Sequence, residues 1–272
     1  KSLCVSPWLF LAFAILTKGP VAFVIIFATL FSYFLTHKNW KNLFLKINPL
    51  KGILITFLIS SPWYLIQLVQ KGNVFFDSFF GYHNLQRYTS VVNNHSEPWW
   101  FYIFIMVLAS LPFSIFLIYG IVETLKELIY KFENRSESTN NIYIFSLCWL
   151  TSVFLFFSFS ATKLPSYWIP AIPAASILIS RSEQVLNLKK RDKSLIWLVT
   201  TLIFFGFSIA FYFSDSWLVL INDPEMPDLA NQIKINGLIL RSRLFFTILT
   251  ITATIFIFKF SRKSLLFLQI IF

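Results

Sequence analysis

The sequence predicts an all-α, polytopic bundle of about eight membrane-spanning helices, forming one transmembrane domain over residues 1–272. Three observations predict it. The 272 residues are 57% hydrophobic and only 13% charged, with a mean hydropathy of +0.69. A soluble domain carries about 25% charged residues. The apolar residues are gathered into runs of roughly 15–20, the length that crosses a hydrocarbon core of about 30 Å at 1.5 Å per residue. Finally, Lys and Arg concentrate in alternate connections. Because backbone polar groups in lipid must be satisfied within the segment, such runs are helices rather than open strands, and the alternating pattern of a membrane barrel is absent.

Taken in order, the runs place spans at Leu3–Thr17, Pro20–Phe34, Gly52–Gln70, Trp99–Tyr119, Ile142–Ser160, Pro165–Ser180, Leu195–Phe213 and Leu238–Phe258. Cys4 and Cys148 both fall inside apolar runs with no Cys or His at ligand spacing, and read as packed thiols. The chain starts at Lys1 and stops within an apolar stretch, Leu265 to Phe272. With no cleavable signal pattern visible, it reads as a piece of something longer.

Charge sets the orientation. Segments 37–51, 120–141, 181–194 and the tail hold fifteen basic residues, Lys38, Lys41, Lys46, Lys51, Lys126, Lys131, Arg135, Arg181, Lys189, Lys190, Arg191, Lys193, Lys259, Arg262 and Lys263. The intervening connections hold five, Lys18, Lys71, Arg87, Lys163 and Lys234. The positive-inside rule puts the larger set, and both termini, in the cytoplasm. Arg241 and Arg243 then snorkel to the outer interface. A formal charge of +11 distributed this way is a topology signal and gives no reason to expect nucleic acid.

Three outer segments carry the unusual residues. The first is the hinge Thr17-Lys18-Gly19-Pro20. The second is the loop 71–98, with Tyr82-His83-Asn84-Leu85-Gln86-Arg87-Tyr88 followed by His95, Glu97 and the belt aromatics Trp99, Trp100 and Tyr102. The third is the polar knot Ser160-Ala161-Thr162-Lys163-Leu164-Pro165-Ser166-Tyr167-Trp168. On an α-helix lying along the interface, His83 and Arg87 would share a face. Taken singly, each lysine reads as a snorkelling side chain and the aromatics as an interfacial belt. Together, Lys18, Arg87 and Lys163 are cations retained on the side that topology disfavours. At headgroup depth a phosphate is the expected ligand, met by the Arg fork and the Lys point charges, with Tyr88 and Tyr167 as hydroxyl donors. His37, on the cytoplasmic side, and His83 and His95, twelve residues apart, give no metal-ligand spacing, and no cofactor is implied.

The strings LTKGP, SPWY, HNLQRY…H…PWWFY and SATKLPSYWIPAIPA, in this order between Thr17 and Ala174, resemble the lipid A aminoarabinose transferase family. That family lies within the protein O-mannosyltransferase-like, GT-C-type membrane glycosyltransferases. The resemblance implies a GT-C-like bundle in the bacterial inner (plasma) membrane, with its site facing the periplasm. It implies transfer of a sugar from a polyprenyl-phosphate carrier to a lipid, glycan or protein acceptor. Carried onto the matching motifs, it places Arg87 and Tyr167 on the carrier phosphate, His83 and Lys163 beside them, and Lys18 at the KGP turn.

Two departures accompany the match. Where the family often has Glu before the loop His, this chain has Tyr82. The family's presumed base is an Asp in the first outer loop, which would precede Lys1, so the catalytic residue is unknown and the chain alone is expected to transfer nothing. Asp77 and Glu97 match no motif, and Asp215, Asp223, Glu225 and Asp228 read as a solvated acidic loop. The alternatives are a transporter or flippase, or a non-catalytic accessory subunit, handling lipid-linked sugars. A transporter would show acids near the midplane and paired broken helices; no acid lies within the eight spans and no repeat is visible.

Overall fold

The computed structural model describes residues 5–37, 40–92, 95–111, 113–134, 141–181, 190–220 and 227–258. Cys4, Lys38, Arg135, Lys189, Asp223, Glu225, Lys259, Arg262 and Lys263 lie outside the described residues. Those described are helical apart from turns, and the chain divides into two compact units, one ending at Arg181 and one beginning at Ser182.

The first unit opens with α1 (Ser6–Lys18) and α2 (Pro20–Leu35), which are separated by a single residue. Gly19 makes this sharp turn by adopting φ 71°, ψ −152°, a region closed to residues with a Cβ, and Pro20 opens the next helix where its missing N–H costs nothing. After α3 (Trp40–Ile47), α4 (Pro49–Lys71) packs on α1. The two approach so closely that a Cβ on Gly52 would fall 1.8 Å from the Trp8 ring. Thr56 Oγ1 donates to the Trp8 carbonyl at 3.2 Å and the Tyr64 hydroxyl to the Ile15 carbonyl at 2.6 Å.

Beyond α4 the expected loop is largely wound. It comprises α5 (Asn73–Phe76), a ten-residue π-helix (Asp77–Gln86) and the single turn α6 (Arg87–Thr89). The expected fourth span is broken. A short α7 (Phe101–Ala109) is bent by 114° from α8 (Ser114–Asn134), which continues through most of the expected 120–141 connection. Ser114 Oγ donates back to the Val107 carbonyl at 2.6 Å, satisfying a carbonyl that the break leaves free. α9 (Asn141–Ser158) matches its expected span, whereas the sixth span is a 3₁₀ turn (Pro165–Ala171) running into α10 (Ile172–Ser180).

α2, α7, α8, α9 and α10 share a core of Ile25, Tyr102, Leu117, Val153, Trp168 and Leu178. Helix association in lipid relies on close packing rather than on excluding water, and small residues supply it here. Ala171, Ala174 and Ala175 are buried, and Gly120 lies against the Leu178 carbonyl with no room for a Cβ. Arg181, counted above as a cytoplasmic loop charge, is buried. It donates to Thr124 Oγ1 at 2.8 Å and Glu127 Oε2 at 2.6 Å, with its guanidinium over the Tyr143 ring. Phe23, Phe27 and Phe31 form an exposed stacked ladder on α2, as expected for a lipid-facing surface.

The second unit pairs α11 (Lys190–Tyr212) with α14 (Leu238–Phe258), joined through α12 (Ser214–Leu218) and α13 (Leu229–Ile235). Phe207, Phe211 and Phe246 stack between the long helices, and Ser208 hydrogen-bonds Thr247 at 2.9 Å. Arg243 donates to the Phe211 carbonyl and lies over the Tyr212 ring.

Among the described residues, two helices, Pro49–Lys71 and Leu238–Ile255, are each long and apolar enough to cross a membrane alone. The bent α7–α8 pair makes a third if counted as one broken span, and four further apolar helices are shorter. The protein is an integral membrane protein whose helices match the expected fold class but are more broken than the apolar runs indicate.

Candidate functional site

The three outer segments meet. At the first, Gly19 is buried against the π-helix, where a Cβ would stand 2.9 Å from Phe79 Cε1. Asn84 Nδ2 donates to the Phe79 carbonyl at 2.6 Å, tying down the residue that closes the turn. Lys18, at the last position of α1, projects over the Tyr167 ring, 5.7 Å from its centroid.

The second and third segments lie along one another as a short ladder. Ala161 N donates to the Tyr88 carbonyl at 2.9 Å, Thr162 N to that of Arg87 at 3.1 Å and Lys163 N to that of His95 at 3.1 Å. Ser160 Oγ reaches the Arg87 carbonyl at 3.2 Å. The Tyr102 hydroxyl both donates to the Leu164 carbonyl at 3.1 Å and accepts from the Leu164 amide at 3.2 Å, fixing the far end of the knot.

Aromatic packing carries the assembly around. Tyr88 packs on Phe156 (centroids 5.0 Å), Phe156 on Phe157 (5.1 Å) and Phe157 on Tyr167 (4.8 Å, stacked). A continuous run of rings therefore links Tyr88 to Lys18. Lys163 is only 8% exposed, and its ammonium donates to the Ser160 carbonyl at 2.8 Å. No acid among the described residues forms an ion pair with it. A buried ammonium satisfied by one carbonyl has two donors and a full charge to offer, and burying charge without an opposite partner is costly.

The segment carrying His83 winds as a π-helix up to Gln86 rather than as the expected α-helix, a turn whose hydrogen bonds join residues five apart. The Arg87 guanidinium accordingly lies over Tyr82, 5.8 Å from the ring centroid, while exposed His83 stands edge-on to the same ring. Tyr82 thus contacts Arg87 through a ring face at the position where the resembling family often has Glu.

Sequence reasoning passed over the groups that join the segments. Thr162, Ser160 and Tyr102 were visible only as a small polar run and a belt aromatic, and Phe79 as one of several phenylalanines. Asp77 and Glu97 are exposed. Asp215 pairs with Lys234 at 2.8 Å, and that hydrogen bond holds its carboxyl below the ordinary range, the opposite of what a proton acceptor tuned for neutral pH requires. Among the described residues no three His, Cys, Asp or Glu side chains cluster to hold a metal.

Beside the KGP turn, α1, α2 and α4 enclose an apolar groove of about 360 Å³, with Leu11, Ile15, Phe23 and Phe57 in its walls and Pro20 and Phe80 also lining it. Three hydroxyls of its lining, those of Thr56, Ser60 and Tyr64, donate to backbone carbonyls.

No family model matches the chain. It is 32% identical over 204 residues to an uncharacterized protein of Aquifex aeolicus, covering 75% of this chain and 38% of that protein. It is 28% identical over 180 residues to the undecaprenyl phosphate-alpha-4-amino-4-deoxy-L-arabinose arabinosyl transferase of Erwinia tasmaniensis, covering 65% of this chain and 30% of the transferase. The Pseudomonas aeruginosa transferase of the same name gives 28% over 179 residues, covering 64% and 30%. The chain thus spans about a third of the length of these relatives. A crystal structure of ArnT from Cupriavidus metallidurans bound to undecaprenyl phosphate superposes with a TM-score of 0.69 at 22% identity, covering 94% of this chain and 43% of ArnT. Relatives named as aminoarabinose transferases are thus similar in aligned sequence over about two thirds of this chain, and the fold is that of a GT-C-type transferase.

Proposed function

We propose that this chain is the carrier-binding portion of a glycosyltransferase of the bacterial inner membrane, one that moves a sugar from a polyprenyl-phosphate carrier to an acceptor at the periplasmic face. Undecaprenyl phosphate, the ligand in the ArnT crystal structure, is the carrier class assigned to it. The observation that carries this reading is buried Lys163, a cation paired with one carbonyl and clipped through its amide to His95 of the segment that carries Arg87, in a cluster where Lys18 lies over Tyr167. Such a cluster suits a phosphate at headgroup depth. The apolar groove beside Lys18 suits the first isoprenoid units of its chain.

In the proposed reaction an acceptor oxygen attacks the anomeric carbon of the carrier-linked sugar. The anomeric C–O bond to the phosphate breaks, and the phosphate leaves with the electron pair. Arg87, Lys163 and Lys18 stabilise the negative charge that develops there, and the Tyr167 and Tyr88 hydroxyls are its neutral donors. Losing one such preorganised contact commonly costs about 10²–10³ in rate. The acceptor proton goes to a base for which this chain's outer acids are poor candidates, so the carrier half of the chemistry is what its residues perform.

The test is Arg87→Ala in the full-length protein. The expected result is turnover of a polyprenyl-phosphate sugar lowered by roughly 10²-fold or more, with the amount of membrane-inserted protein unchanged. Unaltered turnover would overturn the assignment.

A further inference from the structure

We infer that Thr162 is a positioning residue for the carrier phosphate, holding Arg87 and Lys163 in one frame although its own side chain never faces the ligand. The inference rests on the carrier-binding reading above. Thr162 is 1% exposed and makes three contacts across the two motif segments. Its hydroxyl donates to the Ser90 carbonyl at 2.8 Å and accepts from the Val92 amide at 3.0 Å, while its own amide donates to the Arg87 carbonyl at 3.1 Å.

These bonds fall on Arg87 itself and on the residues that follow Tyr88, and they come from the residue immediately before Lys163. Ser160 Oγ adds a second bond to the Arg87 carbonyl and one to the Thr162 carbonyl at 2.9 Å. The Lys163 ammonium folds back onto the Ser160 carbonyl. The segment just after Arg87, at Ser90 and Val92, is thus fixed to the backbone that presents Lys163 through one hydroxyl that acts as donor and acceptor at once. The Arg87 carbonyl itself is held by the Thr162 amide and Ser160 Oγ. A methyl group in its place takes this partner from the Ser90 carbonyl and from the buried Val92 amide, and buried polar groups are rarely left unpaired. They would have to rotate to find others, and with them the two cations would move apart. Ångström-scale misplacement of groups that meet a reacting phosphate weakens their joint action sharply.

Thr162 therefore governs affinity for the carrier phosphate more than it governs folding. Valine retains the shape and removes the hydroxyl, whereas serine retains the hydroxyl and removes a methyl. The measurement is titration of full-length protein in detergent with undecaprenyl phosphate, alongside the unfolding temperature and the kcat and KM for sugar transfer. Thr162→Val is expected to weaken carrier binding roughly tenfold or more and to raise KM accordingly, and Thr162→Ser to recover most of the loss. Glu127→Gln is the comparison: it breaks the ion pair with Arg181 outside this cluster and lowers the unfolding temperature without changing carrier affinity.

Equal affinity in Thr162→Val and the unaltered protein would overturn the inference. So would carrier affinity that tracks unfolding temperature alike in Thr162→Val and Glu127→Gln, because that outcome makes Thr162 merely structural. Where Thr162→Val does not accumulate, Thr162→Cys, of similar size and a weaker donor, takes its place with the same two outcomes. Arg87→Ala separates the two levels. If it binds the carrier normally the carrier reading itself falls; if it loses affinity while Thr162→Val does not, only the positioning role falls.

Discussion

Lys18 stands over the ring of Tyr167, 5.7 Å from its centroid, although one closes α1 and the other sits in the 3₁₀ turn before α10. The ring is also stacked on Phe157 and buried, so it is a fixed platform for the ammonium. A cation at this distance gains about 0.5–1 kcal/mol at an exposed site, enough to bias the Lys18 rotamer and too little to anchor it.

The ring and the hydroxyl of Tyr167 therefore have separable roles. Tyr167→Phe keeps the platform and removes only the donor. If that donor meets the carrier phosphate, affinity for undecaprenyl phosphate falls by about 1.5–3 kcal/mol, the usual worth of a hydrogen bond to a charged group. Tyr167→Leu loses the platform as well and binds more weakly still. Equal affinities for the Phe and Leu variants would show that the platform contributes nothing.

Lys163 separates stability from function. Its ammonium is buried with one carbonyl for company, and replacing a poorly compensated buried charge by an apolar group of similar length is often neutral or stabilising. Lys163→Met is expected to unfold at the same temperature as the unaltered protein or higher, and to bind undecaprenyl phosphate at least tenfold more weakly. A clear fall in unfolding temperature with carrier binding intact would contradict both halves.

Two glycines make a matched pair. A Cβ on Gly120 would stand 2.1 Å from the Leu178 carbonyl, so α8 and α10 must separate to admit it; around Gly206 in α11 there is nothing within 4 Å. Gly120→Ala should cost at least the roughly 1–3 kcal/mol typical of overpacking. Gly206→Ala should stay within about 1 kcal/mol of the unaltered protein, with a gain where helix propensity decides. Unfolding in SDS measures both, and equal responses would discount the close contact at Gly120.

Hydropathy made α2, α4, α9 and α14 legible to within a few residues, because an unbroken apolar run has one solution in lipid. It did not reveal the break between α7 and α8. Ser110, Pro112 and Ser114 interrupt the apolar run there, but the run as a whole is long enough to read as one span, and what redirects the chain is local: turn residues at Ser110 and the bond from Ser114 to the Val107 carbonyl. The π-helix was equally hidden, since its wider turn leaves no compositional mark, and with it the contact of Arg87 with the Tyr82 ring. The cations of the site were legible one at a time, as charges on the wrong side of the membrane. That three stretches of sequence meet through Thr162, Tyr102 and Phe79 depends on tertiary contacts, which no local pattern encodes.

The short α7 has a consequence for the surrounding lipid. Nine residues of helix reach only about 13.5 Å, less than half of a hydrocarbon core of about 30 Å, and α1 at thirteen residues reaches only about 20 Å. A bilayer meeting such short elements thins locally or draws its headgroups inward. On the proposed carrier-binding reading, such a dent would bring the level of the carrier's phosphate down toward the protein, so the donor would not have to be lifted out of its leaflet. Lipid thickness then becomes a control parameter, with shorter acyl chains easing the dent and longer ones opposing it.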